Sequence, residues 1–158
     1  MTLFAQAVNG TEGFQTMRIR GHLNGKDVFM LTDSGSSHSF VDDKVADHIQ
    51  PWQPLQISVR VAVANGGVIS CTREFNKQLW VVQGYSLNTT FKIIPLSGYD
   101  VILGMDWLES NSPMEINWVD RWLQFQYQCQ VIKLQGLISK PVLGSSVSSL
   151  QLQAFEKN

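Results

Sequence analysis

Residues 30–36 read Met30-Leu31-Thr32-Asp33-Ser34-Gly35-Ser36. A carboxylate stands one residue behind an apolar run, Val28-Phe29-Met30-Leu31, and directly before small turn-forming residues. The run has the make-up of a buried strand, so it delivers Asp33 to a strand end. Gly35 permits a tight corner there and lets backbone N–H groups approach the carboxylate. A carboxylate held in that way is pre-organised for proton transfer. The plain alternative is a polar turn, because Asp, Ser and Gly all favour turns.

The remaining reactive residues form no comparable group. Cys71 and Cys129 lie far apart without a CxxC spacing, and His22, His38 and His48 show no ligand-like pattern with them. Neither a metal site nor a disulfide framework is expected, and reduced thiols in an intracellular protein fit better. Cys71 reads as a buried free thiol and His38 as a structural or solvent-facing residue. Asn9-Gly10-Thr11 and Asn88-Thr89-Thr90 match the glycosylation acceptor pattern. MTLFAQAVNG does not have the basic-then-apolar form of a secretory signal, so both read as chance matches.

The elements that must position Asp33 are mostly strands. Met17 to Leu23 alternates with period two, Asn24-Gly25 follows, and Lys26 to Thr32 is mostly apolar. Two strand-like runs joined at Asn-Gly predict a hairpin whose second arm ends at Asp33. Leu55 to Ala64 alternates, Asn65-Gly66-Gly67 turns, and Val68 to Cys71 returns, giving a second hairpin. A third is expected from Met114 to Tyr127, turning at Val119-Asp120-Arg121. Further strands are expected near Leu79 to Gln83, Thr90 to Pro95 and Asp100 to Leu103. Residues 40–49 space Phe40, Val41, Val45 and Ile49 as a short amphipathic helix would, and Met105 to Ser110 suits a helical turn or two. The five tryptophans read as core or interface packing. The total is an all-β or β-rich domain with eight to ten short strands and at most two short helices.

Composition is consistent with this. The chain has 158 residues, 44% of them hydrophobic and 16% charged, enough apolar material for one core. A formal net charge of −1 gives no electrostatic footprint for nucleic acid. No apolar run reaches the length of about 18 residues that a membrane span needs. After Gly136 the sequence turns to serine and glycine, so 1–136 reads as the domain and 137–158 as a tail or linker.

Several pieces in order resemble the retroviral-type aspartic proteases. Met30-Leu31-Thr32-Asp33-Ser34-Gly35 meets that family's apolar-apolar-x-Asp-(Thr/Ser)-Gly motif. The hairpin with Val63-Ala64-Asn65-Gly66 is similar to its substrate-covering flap. Val101-Ile102-Leu103-Gly104 is similar to its apolar-apolar-Gly strand before a short helix. The runs from Ser34 to Val41 and from Ile102 to Leu108 resemble, more narrowly, the protease region of gypsy-type LTR retrotransposon polyproteins. The resemblance spans about residues 3–136.

That resemblance implies a retropepsin-like closed barrel of short strands with one or two short helices. It implies an aspartic endopeptidase, pepstatin-sensitive and needing no cofactor, that processes a retroelement polyprotein. Its expected setting is the cytoplasm, a virus-like particle included. Peptide hydrolysis at such a site needs two carboxylates sharing one proton. The chain carries one Asp-Ser-Gly, and Asp100 and Asp106 read as a surface turn and a helix N-terminus. The second acid is therefore expected from Asp33 of another copy, in a homodimer with the site at its interface. Ser34 is expected to strap the two loops across the axis, and Gly35 to aim an N–H at the carboxylates. Ser36 is expected to donate its hydroxyl to the carboxylate and lower its titration range. Ala64, Asn65, Gly66 and Gly67 are expected to form the substrate-binding flap tip. The expected partners are a second copy and a polypeptide, not nucleic acid or membrane. A dimerisation or peptide-binding module without turnover is the alternative, and an unrelated β-barrel binding domain a third.

Overall fold

A computed structural model of the chain describes residues 2–3, 16–49, 51–63 and 66–138. The expected tail from residue 139 onward lies outside the described residues, as do Ala64 and Asn65 of the expected flap tip and the pattern at Asn9. Eleven strands and two short helices are described. They are β1 (Thr2–Leu3), β2 (Thr16–Leu23), β3 (Lys26–Asp33), β4 (Phe40–Asp42), α1 (Asp43–Ala46), β5 (Gln53–Val63) and β6 (Val68–Val82). β7 (Tyr85–Ile94), β8 (Val101–Leu103), α2 (Met105–Ser110), β9 (Met114–Asn117), β10 (Trp122–Tyr127) and β11 (Gln130–Gln135) complete the order.

Eight strands form one sheet in the order β1-β5-β6-β2-β3-β8-β4-β7, and β6 also pairs with β7. The last pairing closes β6, β2, β3, β8, β4 and β7 into a ring. The other three strands form a separate sheet in the order β11-β10-β9. All three expected hairpins form. The β2–β3 turn is the two-residue type that twists with its strands, because Asn24 and Gly25 both have positive φ, 52° and 79°. The same geometry recurs at Gln83-Gly84, joining β6 to β7, and at Gln128-Cys129, joining β10 to β11. Neither turn carries the Asn-Gly signal, so neither hairpin was legible in the sequence.

Residues 40–49 correct the expectation of one amphipathic helix. Phe40–Asp42 is a strand and only Asp43–Ala46 is helical. The reason is tertiary: β4 is buried between β8 on one side and β7 on the other, so Phe40, Val41 and Asp42 are all covered. The separate strands expected near Cys71 and Leu79 are one strand, β6. It bends where its register on β7 shifts between Phe75 and Gln78, with Lys77 at a φ of 52°. Thr90 steadies the bend by accepting from Lys77 N–H and donating to Asn76 Oδ1.

Two apolar clusters fill the fold. The larger joins Met17, Ile19, Met30, Trp80, Phe91, Trp107 and Phe125, among others. Trp107 meets the Phe125 ring edge-on at 5.5 Å and packs inward as expected. Trp52 and Trp118 are instead partly open to solvent. The smaller cluster joins Val61 and Cys71 of the β5–β6 hairpin to Leu31, Phe40, Ile94, Tyr99 and Ile102. It roots the hairpin on the strands that carry Asp33. Cys71 is a buried free thiol.

Candidate active site

Asp33 is the last residue of β3, paired with Thr16 of β2 on one side. On the other side Met30, Leu31 and Thr32 pair in parallel with Val101, Ile102 and Leu103 of β8. The strand is fixed from both edges up to the carboxylate. Beyond it the chain turns at once: Ser36 N–H donates to the Asp33 carbonyl at 3.1 Å, and Gly35 N–H donates to Asp33 Oδ1 at 2.9 Å. The side chain is buried, with 3% of the residue exposed, and Oδ2 has no hydrogen-bond partner among the described residues. Burial pushes the Asp33 carboxyl above the usual carboxylate range, and the Gly35 N–H offsets only part of that.

The neighbours divide into those that face outward and those that hold the loop. Ser34 is exposed and lines a small cavity of about 140 Å³ with Met17, Thr32, Leu108, Ile116, Trp118 and Leu123. Ser36 is fully buried, but its hydroxyl donates to the His38 carbonyl at 2.7 Å rather than to the Asp33 carboxylate. That corrects the expected role of Ser36: the tight turn directs its hydroxyl along the loop. The His38 ring lies within 3.3 Å of Ser37 Oγ. Its titration is lowered first by burial and then by Lys92, with Asp106 opposing.

A brace that sequence reasoning missed holds this loop against the start of α2. Ser39 Oγ donates to Asp106 Oδ1 at 2.6 Å, and Ser39 N–H donates to Asp106 Oδ2 at 3.1 Å. Gly104 N–H donates to Ser39 Oγ at 3.0 Å, and Met105 N–H donates to the Ser36 carbonyl at 2.7 Å. Asp106 is thus more than an acid at a helix start. Asp100 likewise accepts from Phe29 N–H at 2.8 Å, so both acids serve the scaffold. Gly104 is required by space: a Cβ there would overlap the His38 carbonyl and lie 2.7 Å from the Ser36 carbonyl oxygen. The signal available was the Gly104-Met105-Asp106 order at a helix start, but its partner Ser39 is 67 residues away.

The expected flap is the β5–β6 hairpin. At its tip Gly66 has a φ of 92°, Gly66 N–H donates to the Val63 carbonyl, and Val63 N–H donates to the Gly67 carbonyl, both at 3.0 Å. A larger groove of about 490 Å³ lies elsewhere, between β7 and α2, and does not include the Asp33 loop. The described residues hold no group of three or more His, Cys, Asp or Glu placed to hold a metal ion, and no described helix is long and apolar enough to cross a membrane.

Comparison with known proteins agrees with this geometry. The family described as the PEG10/RTL1 protease domain matches residues 29–131, which run from within the Asp33 strand to the start of β11. The chain belongs to that family. Its fold is retropepsin-like: the retroviral protease-like domain of Ddi1 from Leishmania major superposes with a TM-score of 0.57. That likeness covers 80% of this chain and 97% of the other at 15% identity, and so speaks to fold alone. No curated protein sequence matches the chain. The expected all-β, retropepsin-like fold and the family resemblance therefore hold.

Proposed function

We propose that this retropepsin-like domain is an aspartic endopeptidase that works as a homodimer, with Asp33 from each of two copies forming the catalytic pair. The observation that carries this reading is the Asp33 carboxyl itself, buried at a strand end, braced at Oδ1 and, among the described residues, without a donor at Oδ2. A buried acceptor without a donor costs about 1–3 kcal/mol. A second carboxyl sharing one proton supplies that donor.

The chemistry follows from the shared proton. The ionised carboxylate takes a proton from water as the water oxygen attacks the peptide carbonyl carbon. The protonated partner gives its proton to the carbonyl oxygen. The tetrahedral intermediate, a gem-diol, then collapses: the C–N bond breaks as the leaving nitrogen takes a proton from one carboxyl, and one hydroxyl returns its proton to the other carboxylate as the C=O re-forms, which restores the single shared proton. Burial favours the protonated form of Asp33, which is the state the general acid needs. Gly35 N–H holds one oxygen of each carboxylate in place. In this reading Ser34, exposed one residue later, reaches across to the second copy. The β5–β6 hairpin, with Gly66 and Gly67 at its described tip, covers an extended polypeptide substrate. A retroelement polyprotein in a reducing, intracellular compartment is the substrate and setting that fit the family.

The test is to incubate the purified chain with a peptide library from about pH 3 to pH 7, with and without pepstatin, beside Asp33→Asn. Pepstatin-sensitive cleavage that disappears in the variant is the expected result. A dimer that cleaves nothing would make the domain a binding module instead. Cleavage by a strictly monomeric chain would end the two-copy site.

A further inference from the structure

The free side of the expected flap is not bare. β1, Thr2–Leu3, pairs in parallel with β5, placing Thr2 opposite Ala62 and Leu3 opposite Val63. Those two positions immediately precede the hairpin tip. The chain's own N-terminal strand is thus the outermost strand on that side of the sheet.

The direction of the backbone groups makes this a binding edge. Val63 N–H donates to Gly67 inside the hairpin. Backbone groups of successive strand residues point to opposite sides, so Ala62 presents its N–H and C=O outward, to the edge where β1 lies. The edge is also held firmly. Val61 is buried and packs with Cys71 into the cluster that contains Leu31, two residues before Asp33. An edge rooted on the strand of the candidate catalytic acid, with outward backbone groups next to a glycine tip, fits any extended peptide through main-chain hydrogen bonds.

We propose that the outer edge of β5 at Ala62–Val63 is a strand-addition site that the chain's own Thr2–Leu3 occupies, and that an extended peptide must displace this segment to bind. This rests on the reading of the domain as one that takes an extended polypeptide under the β5–β6 hairpin. The segment acts as a tethered competitor. It pairs at only two positions, so it is displaceable, but its covalent attachment keeps its local concentration high. The apparent dissociation constant for a peptide then equals the intrinsic one divided by the fraction of molecules with a free edge.

The experiment separates this contact from catalysis by using the full chain carrying Asp33→Asn. Amide hydrogen exchange of Ala62 is followed by NMR in that chain, in the same chain without residues 1–3, and in one carrying Leu3→Pro, which cannot donate a backbone hydrogen bond at that position. Protection at Ala62 is expected to fall about tenfold or more in both altered chains while that of Ile19 in the β2–β3 hairpin stays unchanged. A synthetic peptide of residues 1–8 added to the shortened chain is expected to restore it. In chains that keep Asp33, pepstatin is expected to bind the form without residues 1–3 several-fold more tightly than the full one. Unchanged protection at Ala62 would overturn the proposal even in an active protease. Lost protection with equal pepstatin affinity would overturn the competition. An inactive but dimeric domain would leave the exchange result standing, because no arm of it needs turnover.

Discussion

At Asp33 burial and hydrogen bonding pull in opposite directions, and burial wins. The carboxyl titrates higher in the folded chain than in the unfolded one, so folding favours its protonated form. Its contribution to stability is therefore best at low pH. It is lost as pH rises from the unfolded value through the raised folded value, above which a buried charge must be carried. Asp33→Asn keeps an acceptor for Gly35 N–H and removes that charge. At concentrations where the chain is monomeric, the variant should melt at a higher temperature than the parent at pH 7, with the gain vanishing near pH 3, as read by scanning calorimetry. A variant that melts lower at pH 7 would show that the carboxylate is not penalised. Ser36 carries a second expectation of opposite kind. Its hydroxyl serves the His38 carbonyl, so Ser36→Ala should lose about 1 kcal/mol in urea unfolding and leave the pH–rate profile in place. A profile that moves would put the hydroxyl on the carboxylate in the working dimer.

Among the elements, the junction between β8 and α2 decides whether the Asp33 loop keeps its shape. Gly104 lies against the carbonyls of Ser36 and His38, both backbone atoms that cannot swing aside. Gly104→Ala should therefore destabilise the domain by about 2–3 kcal/mol and lower peptide cleavage with it, which denaturant titration and an activity assay would show together. An alanine variant of parent stability would mean the two segments are not in contact. Element boundaries show where local signals are enough. Asn24-Gly25 dictated its own hairpin, because both residues tolerate positive φ. Phe40 to Ile49 did not dictate its own form. Its apolar spacing fits a helix, yet Phe40, Val41 and Asp42 fill a slot between β7 and β8 that only a strand can fill. Gln128-Cys129 makes the same turn as Asn24-Gly25 without a glycine, held there by the six residue pairs of β10 and β11.

At the scale of the whole molecule, the ring places Asp33 and Ser34 at one end, beside the apolar cavity lined by Ile116, Trp118 and Leu123. Ile116 and Trp118 are 37% and 40% exposed, and Val119 beside them is 89% exposed, so apolar side chains gather next to the proposed catalytic loop. A second copy seated there would cover them and bring the two carboxyls together. Cleavage should accordingly depend on assembly. Below the dimer dissociation constant the rate is expected to rise with about the square of chain concentration, and linearly above it. A linear dependence down to concentrations where sedimentation shows only monomers would contradict a shared site.

The sequence by itself determined the local geometry of the Asp33 turn, the Asn24-Gly25 hairpin and the β-rich class. These depend on near neighbours: an apolar strand feeding an acid, a residue pair that accepts positive φ, and a period of two. Only the tertiary structure decided what holds the loop. Ser39 meets Asp106 across 67 residues, Gly104 fits because two carbonyls leave no room for a side chain, and Ser36 turns to His38 rather than to Asp33. Those contacts exist because β8 pairs in parallel with β3 and α2 follows it directly, bringing distant segments within hydrogen-bond range. The pairing of Thr2–Leu3 with the edge of β5 is of the same kind, since nothing in either segment names its partner until the sheet is assembled.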